Sequence, residues 1–316
     1  MKKNKILILG ASSFGGLSAT IHLLNKGYNV VGTYNKNKKK IINSLKKLKL
    51  INKTTLEKLE LKNDSLKLNK IVKKYKPNII IDFASICLVP ESWDKPLDYF
   101  KINVDSKITF WKNLNDYHFL KKYIYISTPE IFGSSNQPVK EDSIRYNPST
   151  PYALSKLMSE SLIRLFQKSH KNQKFIIARF SNFYGPMQGK NRLIPKVLKS
   201  IRLKKKFPLH GEGKTIRNFI YADDFCEGIC KILKYGKKGN TYHFTSNEYL
   251  TIKNIVKKIY KFKNEDFFNN VQLVPDRKGK DFCYKLSSKA THRALRFKPK
   301  INLNKGIKLI SNVIEN

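Results

Sequence analysis

Residues 5–33 read KILILGASSFGGLSATIHLLNKGYNVVGT, and this stretch decides the fold. Lys5 to Leu9 is short, apolar and followed at once by glycine, the pattern of a strand buried on both faces. Leu17 to Lys26 carries helical spacing and meets a stop at Gly27. Tyr28 to Thr33 is a second strand. Strand, glycine-rich turn, helix and strand make a βαβ unit.

The turn between the first strand and the first helix has the chemistry of an anion cradle. Small residues let the backbone approach a phosphate, and the N–H groups and dipole of the helix N-terminus attract it. Gly10, Ser12, Ser13, Phe14 and Gly16 are the candidates, with Ser13 standing where a central glycine is often found. A tight turn without a ligand would use the same residues. The second strand ends Gly32-Thr33-Tyr34-Asn35-Lys36 without the carboxylate that would accept from the ribose 2′-OH of NAD. Asn35 and Lys36 would tolerate a 2′-phosphate, which favours NADP over NAD, although Lys36 also belongs to a general lysine excess.

The alternation continues outward. Leu66 to Tyr75 reads as helix, Asn78 to Phe83 as strand, Tyr99 to Leu114 as one long helix, Tyr123 to Ser127 as strand, Tyr152 to Lys168 as helix and Lys174 to Phe180 as strand. This predicts an α/β fold with a doubly wound parallel sheet, covered on both faces. From about residue 185, glycines and prolines punctuate shorter elements. The expected division is a nucleotide-binding domain over residues 1–180 and a smaller substrate-binding α/β lobe over 181–316, with some return of the chain to the first domain.

Lys and Arg total 63 against 23 Asp and Glu, a formal charge of +40. A polyanion partner would explain that. However, arginine, the residue suited to bidentate phosphate and base recognition, is scarce, and the lysines are spread along the whole chain. Compositional bias therefore explains the charge better than a specific nucleic-acid partner, while a positive field would still attract an anionic substrate. Cys87, Cys226, Cys230 and Cys283 form no CxxC pair and have no histidine cluster beside them in sequence, so reduced thiols and no metal are expected. Lys2, Lys3 and Lys5 run directly into the first strand, and no apolar stretch is long enough to span a bilayer. The expected location is the cytoplasm.

The strand YIYIS ends in Ser127-Thr128, followed by Pro129, Glu130, Ile131, Phe132 and Gly133; Pro151-Tyr152-Ala153-Leu154-Ser155-Lys156 comes later. Tyrosine and lysine four apart share a helical face. A neighbouring ammonium favours the phenolate, so Lys156 is expected to lower the pKa of Tyr152. Tyr152 could then take a proton from a substrate hydroxyl that Thr128 orients.

These motifs together resemble the extended short-chain dehydrogenases/reductases, in particular the NAD(P)-dependent nucleotide-sugar epimerase/dehydratase family. The resemblance covers essentially the whole chain: Leu9 to Gly16, Asp82 to Ser85, Val89 to Pro96 with Asn103, Ser127 to Gly133, Tyr152 to Lys156, Arg179 to Pro186, and Arg217 to Asp224. It implies Thr128, Tyr152 and Lys156 as the catalytic set. It adds Ala84, Ser85, Asn103 and Asp64 to the cofactor side, the last near the adenine. It implies Asn182, Arg217 and Arg277 against the diphosphate of a nucleoside-diphosphate sugar, and a homodimer built through a helix pair. Asp223 and Asp224 read as helix caps. The shared first step is oxidation at sugar C4. Glu130 stands where dehydratases keep a carboxylate base for C5, but Pro129 replaces an aspartate found in some of them. Epimerase and dehydratase stand close together, a reductase comes third, and a non-catalytic polyanion-binding protein is the alternative of another class.

Overall fold

The computed structural model describes residues 4–169, 174–246, 248–276 and 281–315. β1 (Lys5–Leu9), α1 (Phe14–Asn25), β2 (Asn29–Tyr34), α2 (Lys38–Lys47), β3 (Thr54–Lys58), α3 (Leu66–Tyr75) and β4 (Ile79–Asp82) open the chain. Short helices α4 (Val89–Asp94), α5 (Pro96–Phe100) and α6 (Ser106–Lys112) lead to β5 (Lys122–Ser127), α7 (Pro151–Ser169) and β6 (Phe175–Phe180). The apolar strands pair because each must satisfy its backbone groups out of water. Seven strands form one sheet, ordered β10-β6-β5-β4-β1-β2-β3, with every neighbouring pair parallel. The chain winds outward from β1 to β3, then returns to β4 and winds the other way. Such a reversal opens a crevice at the carboxyl ends of β1 and β4, where α/β sheets bind ligands.

The second half continues with β7 (Asn182–Tyr184), α8 (Leu193–Arg202), β8 (Phe207–His210), β9 (Ile216–Tyr221), α9 (Ala222–Tyr235) and β10 (Thr241–Phe244). β11 (Tyr249–Thr251), α10 (Ile252–Phe262), α11 (Phe267–Asn270), β12 (Val271–Val274), α12 (Lys289–Leu295) and α13 (Leu303–Glu315) complete it. Sheets β11-β9-β7 and β12-β8 surround their own core of Tyr184, Val197, Leu209, Ile259 and Ile307. This half also serves the large sheet: β10 forms its edge against β6, and α9 packs on α1.

Local chemistry moves several boundaries. α1 begins at Phe14 rather than Leu17, because the Ser13 hydroxyl caps it by accepting from the Gly16 N–H at 3.0 Å. The phosphate turn is thus also the first helical turn. α2 and β3 had no sequence signal of their own: α2 buries only Ile41 and Leu45 under its lysines, and edge strand β3 contains no fully buried residue. The single helix expected over Tyr99 to Leu114 is interrupted by a π turn, Lys101–Asp105. That turn carries Asn103 inward. Its amide oxygen accepts from Ile86 N–H at 2.9 Å, and its nitrogen donates to Ile86 O at 3.1 Å and to Ser155 Oγ at 2.9 Å. π turns of this kind tend to mark functional segments. Asp224 does not cap its own helix; its carboxylate accepts the N–H groups of Lys300 and Ile301, tying the approach to α13 onto α9.

A charged pair is buried where β6 meets α7. The Arg179 guanidinium donates to Glu160 Oε1 at 3.0 Å and lies 4.8 Å from the Phe132 ring. Burial would push the Glu160 carboxyl up, but Arg179 holds it below the usual carboxylate range. His243 presents Nε2 to Arg179 at 3.0 Å and Nδ1 to Ser287 O at 3.1 Å; burial and Arg179 keep its imidazole neutral. Removing one member strands the other charge out of water. Arg179→Met is therefore expected to lower unfolding free energy in urea by about 3–5 kcal/mol, and adding Glu160→Leu should restore most of it. A loss in the single variant equal to that in the double would contradict this pairing.

Candidate active site

The crevice is built first by what glycine permits. Gly10 has φ +76°, and a Cβ there would lie 3.0 Å from the Phe83 carbonyl carbon. A Cβ on Gly16 would come within 2.2 Å of Gly10 O, so the first turn of α1 closes directly over the end of β1. Thr33 Oγ1 accepts from Gly10 N–H at 3.0 Å and fixes β2 beside the turn. This backbone cradle at a helix N-terminus suits a dinucleotide pyrophosphate. The Phe14 ring is stacked on Phe183 at 5.3 Å, so what Phe14 can offer a ligand is its backbone. Asn35 and Lys36 are exposed just past β2. Asp64 is exposed on the loop before α3 and its carboxylate accepts from Lys67 N–H at 3.1 Å.

Beside the cradle, Thr128 directly follows β5, and Tyr152 and Lys156 face it from the first turns of α7. All three are nearly enclosed, at 6%, 8% and 2% exposure. The Thr128 hydroxyl hydrogen-bonds Tyr152 and accepts from Glu130 N–H at 3.3 Å. Lys156 Nζ donates to Ser85 Oγ at 3.1 Å and to Ile126 O at 2.7 Å, and stands 4.0 Å from the Tyr125 ring centre. The electrostatics correct the expectation drawn from spacing. Burial, followed by the Glu130 charge, pushes the Tyr152 phenol well up. Burial and the nearby Lys107 bring Lys156 itself down to about 7. Tyr152 is thus a phenol at neutral pH in this arrangement.

Lys107 had no sequence signal. Its Nζ donates to Asp82 Oδ2 at 2.8 Å and to Ala84 O at 2.7 Å, with both side chains fully buried. Tyr123 donates to the same carboxylate at 2.6 Å, and Ala84 N–H donates to its other oxygen at 2.9 Å. The segment carrying Ala84 and Ser85 is held from below by this pair. Asn103, expected on the cofactor side, is fully buried with its amide engaged by Ile86 and Ser155. It therefore ties this segment to α7.

The second lobe closes the other side. Asn182 shares hydrogen bonds with Tyr284 at 3.2 and 3.3 Å. Arg217 donates to the carbonyls of Phe282 and Asp281 at 3.2 and 2.8 Å and packs over Tyr284 at 4.4 Å. Arg277 lies outside the described residues. Sequence reading also passed over Arg192, whose guanidinium reaches Cys87 Sγ across the cleft at 3.4 Å, and Asp281, a buried carboxyl. Neither sits in a pattern that spacing reveals. Burial, partly offset by Arg217, brings Glu130 up to about 7, and burial also raises Asp281.

A carboxyl whose folded pKa lies above its unfolded value binds more protons when folded. Its contribution is present below the unfolded value, near 4.3, and is lost as pH rises through about 7. Glu130→Gln should therefore be more stable than the parent at pH 8, by on the order of 2 kcal/mol, with the gap closing at pH 5. Urea unfolding at the two pH values measures this; a gap that stays constant would refute it.

The pattern of the NAD dependent epimerase/dehydratase family matches residues 6–244. The human dTDP-D-glucose 4,6-dehydratase is 30% identical over 238 residues, covering 74% of this chain and 67% of its own. The Dictyostelium discoideum dTDP-D-glucose 4,6-dehydratase is 32% identical over 275 residues, 81% of this chain and 61% of its own length. The fold is shared with the Streptomyces venezuelae dTDP-glucose 4,6-dehydratase DesIV solved with NAD and TYD bound, at TM-score 0.90 and 23% identity over 98% of this chain and 97% of that one. It is shared also with Bacillus cereus UDP-glucuronic acid 4-epimerase, at TM-score 0.88 and 23% identity over 98% and 99%. The family's cofactor is NAD, the member of the NAD–NADP pair that the missing carboxylate after β2 had disfavoured; an exposed amide such as Asn35 can also hydrogen-bond ribose hydroxyls. With the glycine cradle, the Thr128, Tyr152 and Lys156 set and this match over most of its length, the chain belongs to the NAD dependent epimerase/dehydratase family.

Proposed function

We propose that the protein is a 4,6-dehydratase acting on a dTDP-hexose. The observation that carries this reading is Glu130, a carboxyl at the catalytic threonine whose pKa is brought to about 7. An acid that exchanges its proton at neutral pH is what removal of the C5 hydrogen requires. The relatives of highest identity reported above are dehydratases, which supports the same choice. The 4-epimerase likeness favours the second reading, in which the keto sugar is reduced again on its other face.

In this proposal, the backbones of Gly10, Ser12, Ser13, Phe14 and Gly16 hold the pyrophosphate of NAD. Asn35 and Asp64 serve its adenosine half, while Ala84, Ser85 and Lys156 line its nicotinamide side. NAD, when bound there, would supply the acceptor for the C4 hydride and the donor for its return to C6. Tyr152 exchanges the C4 hydroxyl proton, with Thr128 orienting that oxygen. Because Tyr152 is a phenol in this site, it must shed a proton before it can accept one, and the ammonium of Lys156 is the charge available to favour that loss. Glu130 then takes the C5 proton and gives it back to C5 once the C6 hydroxyl has left and the hydride has returned to C6, so that the 4-keto-6-deoxy sugar forms with the site restored. Asp281 is the second carboxyl of the cleft and protonates the departing C6 hydroxyl in place of the side chain that Pro129 lacks. Asn182 and Arg217 bind the sugar diphosphate, the guanidinium by paired hydrogen bonds. We place the enzyme in the cytoplasm, where its four free thiols stay reduced. We also pair two copies through α7, whose Leu154, Met158 and Leu165 face outward.

Product analysis tests the reading. Incubated with dTDP- and UDP-hexoses, the protein should yield a 4-keto-6-deoxy sugar lighter by one water; an isomer of unchanged mass would sink the dehydratase and favour the epimerase. Tyr152→Phe should reduce turnover about 10²–10⁴-fold. Glu130→Gln should block water loss while leaving C4 oxidation.

The pH profile is the second test. Glu130 must be ionised and Lys156 protonated, and both titrate near 7. kcat/KM should trace a narrow bell around neutrality, with the acid limb missing when C4 oxidation alone is followed. A flat profile between pH 6 and 8 would count against both assignments.

A further inference from the structure

The α1–α9 contact brings together a set of side chains that sequence order keeps apart. His22 is in the last turn of α1; Glu227 and Cys230 lie three apart on α9. One ligand-capable atom from each lies within 4.8 Å of the other two. His22 Nε2 is 3.8 Å from Glu227 Oε2, too far for a hydrogen bond, and that nitrogen is out of contact with water with no hydrogen-bond partner. A buried imidazole nitrogen without a partner is a cost that a bound cation removes.

We propose that His22, Glu227 and Cys230 form a binding site for a borderline-soft divalent cation of the zinc type. Ligands at about 2.0–2.3 Å in a tetrahedron stand about 3.3–3.8 Å from one another. The His22–Glu227 separation already meets that, and the thiol needs only a rotamer-scale adjustment. Imidazole, carboxylate and thiolate together suit zinc better than calcium or magnesium, which take oxygen ligands. Asp223, one turn earlier on α9, or water completes the four. Coordination expels the Cys230 proton to solvent. The opposing charge is Lys26, whose Nζ lies 2.9 Å from Glu227 Oε2. Its side chain is 43% exposed and can turn outward, so the ion and the ammonium compete for one carboxylate. The site is independent of the proposed reaction: His22 is nine residues along α1 from Ser13, about 14 Å from the phosphate turn.

The test uses the full chain, stripped with chelator and titrated with Co²⁺. One equivalent should produce tetrahedral visible bands and a thiolate-to-cobalt charge-transfer band, both abolished by Zn²⁺. Cys230→Ser should lose the charge-transfer band, His22→Ala and Glu227→Gln should weaken binding at least tenfold, and Lys26→Met should strengthen it. Zn²⁺ should raise the melting temperature of the parent but not of Glu227→Gln, a near-isosteric substitution at a partly exposed side chain. Absence of the charge-transfer band, its persistence in Cys230→Ser, or its loss in Cys87→Ser would overturn the proposal.

Discussion

The site rests on one buried charge. Asp82 ends an apolar strand in the middle of the large sheet, where an isolated carboxylate would be too costly to keep ionised. Lys107, Tyr123 and the Ala84 N–H satisfy it, and each bond has a second consequence. Lys107 also holds Ala84 O, which fixes the backbone that carries Ser85. Ser85 accepts from Lys156. One residue on, Ile86 is clamped by Asn103, which reaches Ser155 on α7. Position is thus transmitted from a charge beneath the cleft to the ammonium within it. The same arrangement sets two cations near one tyrosine ring, and burial first, with Lys107 second, brings the Lys156 ammonium down.

Much of this was legible in the order of residues. The glycine turn, the apolar strands and the Tyr152–Lys156 spacing follow from local rules of backbone freedom and periodicity. What escaped lies in tertiary contact. Lys107 is one lysine among many until a strand end buries it against Asp82. The π turn that aims Asn103 leaves no compositional mark, so an uninterrupted helix was the natural expectation. α2 and β3 lie at the solvent edge, where few apolar residues are needed and the periodic signal fades. The expected pKa of Tyr152 failed for a similar reason: spacing tells which charge is near, while desolvation depends on everything packed around both groups.

The charge of the chain also reads differently in place. Many lysines are on outer helix faces such as α2, and a few do specific structural work. Lys122 and Lys174 donate to helix and turn carbonyls, and Lys107 is interior. Three of the arginines make contacts of another kind: Arg179 in the core, Arg192 across the cleft and Arg217 on the second lobe. At Arg179 and Arg217 the planar guanidinium makes several hydrogen bonds at once, which one ammonium could not reproduce in the same geometry.

The path of the chain between the two halves has a mechanical consequence. It leaves the large sheet after β6, returns through β9 into α9, and leaves again after β10. The Phe14, Phe183 and Phe225 rings stack across that junction. Rotation about a single flexible strand is therefore impossible, since several covalent crossings and an aromatic column would have to bend together. Any adjustment between the halves must be a small sliding of packed surfaces. Discrimination among sugars then falls to rigid walls and individual side chains, and a substrate that does not fit gains little from the protein yielding to it.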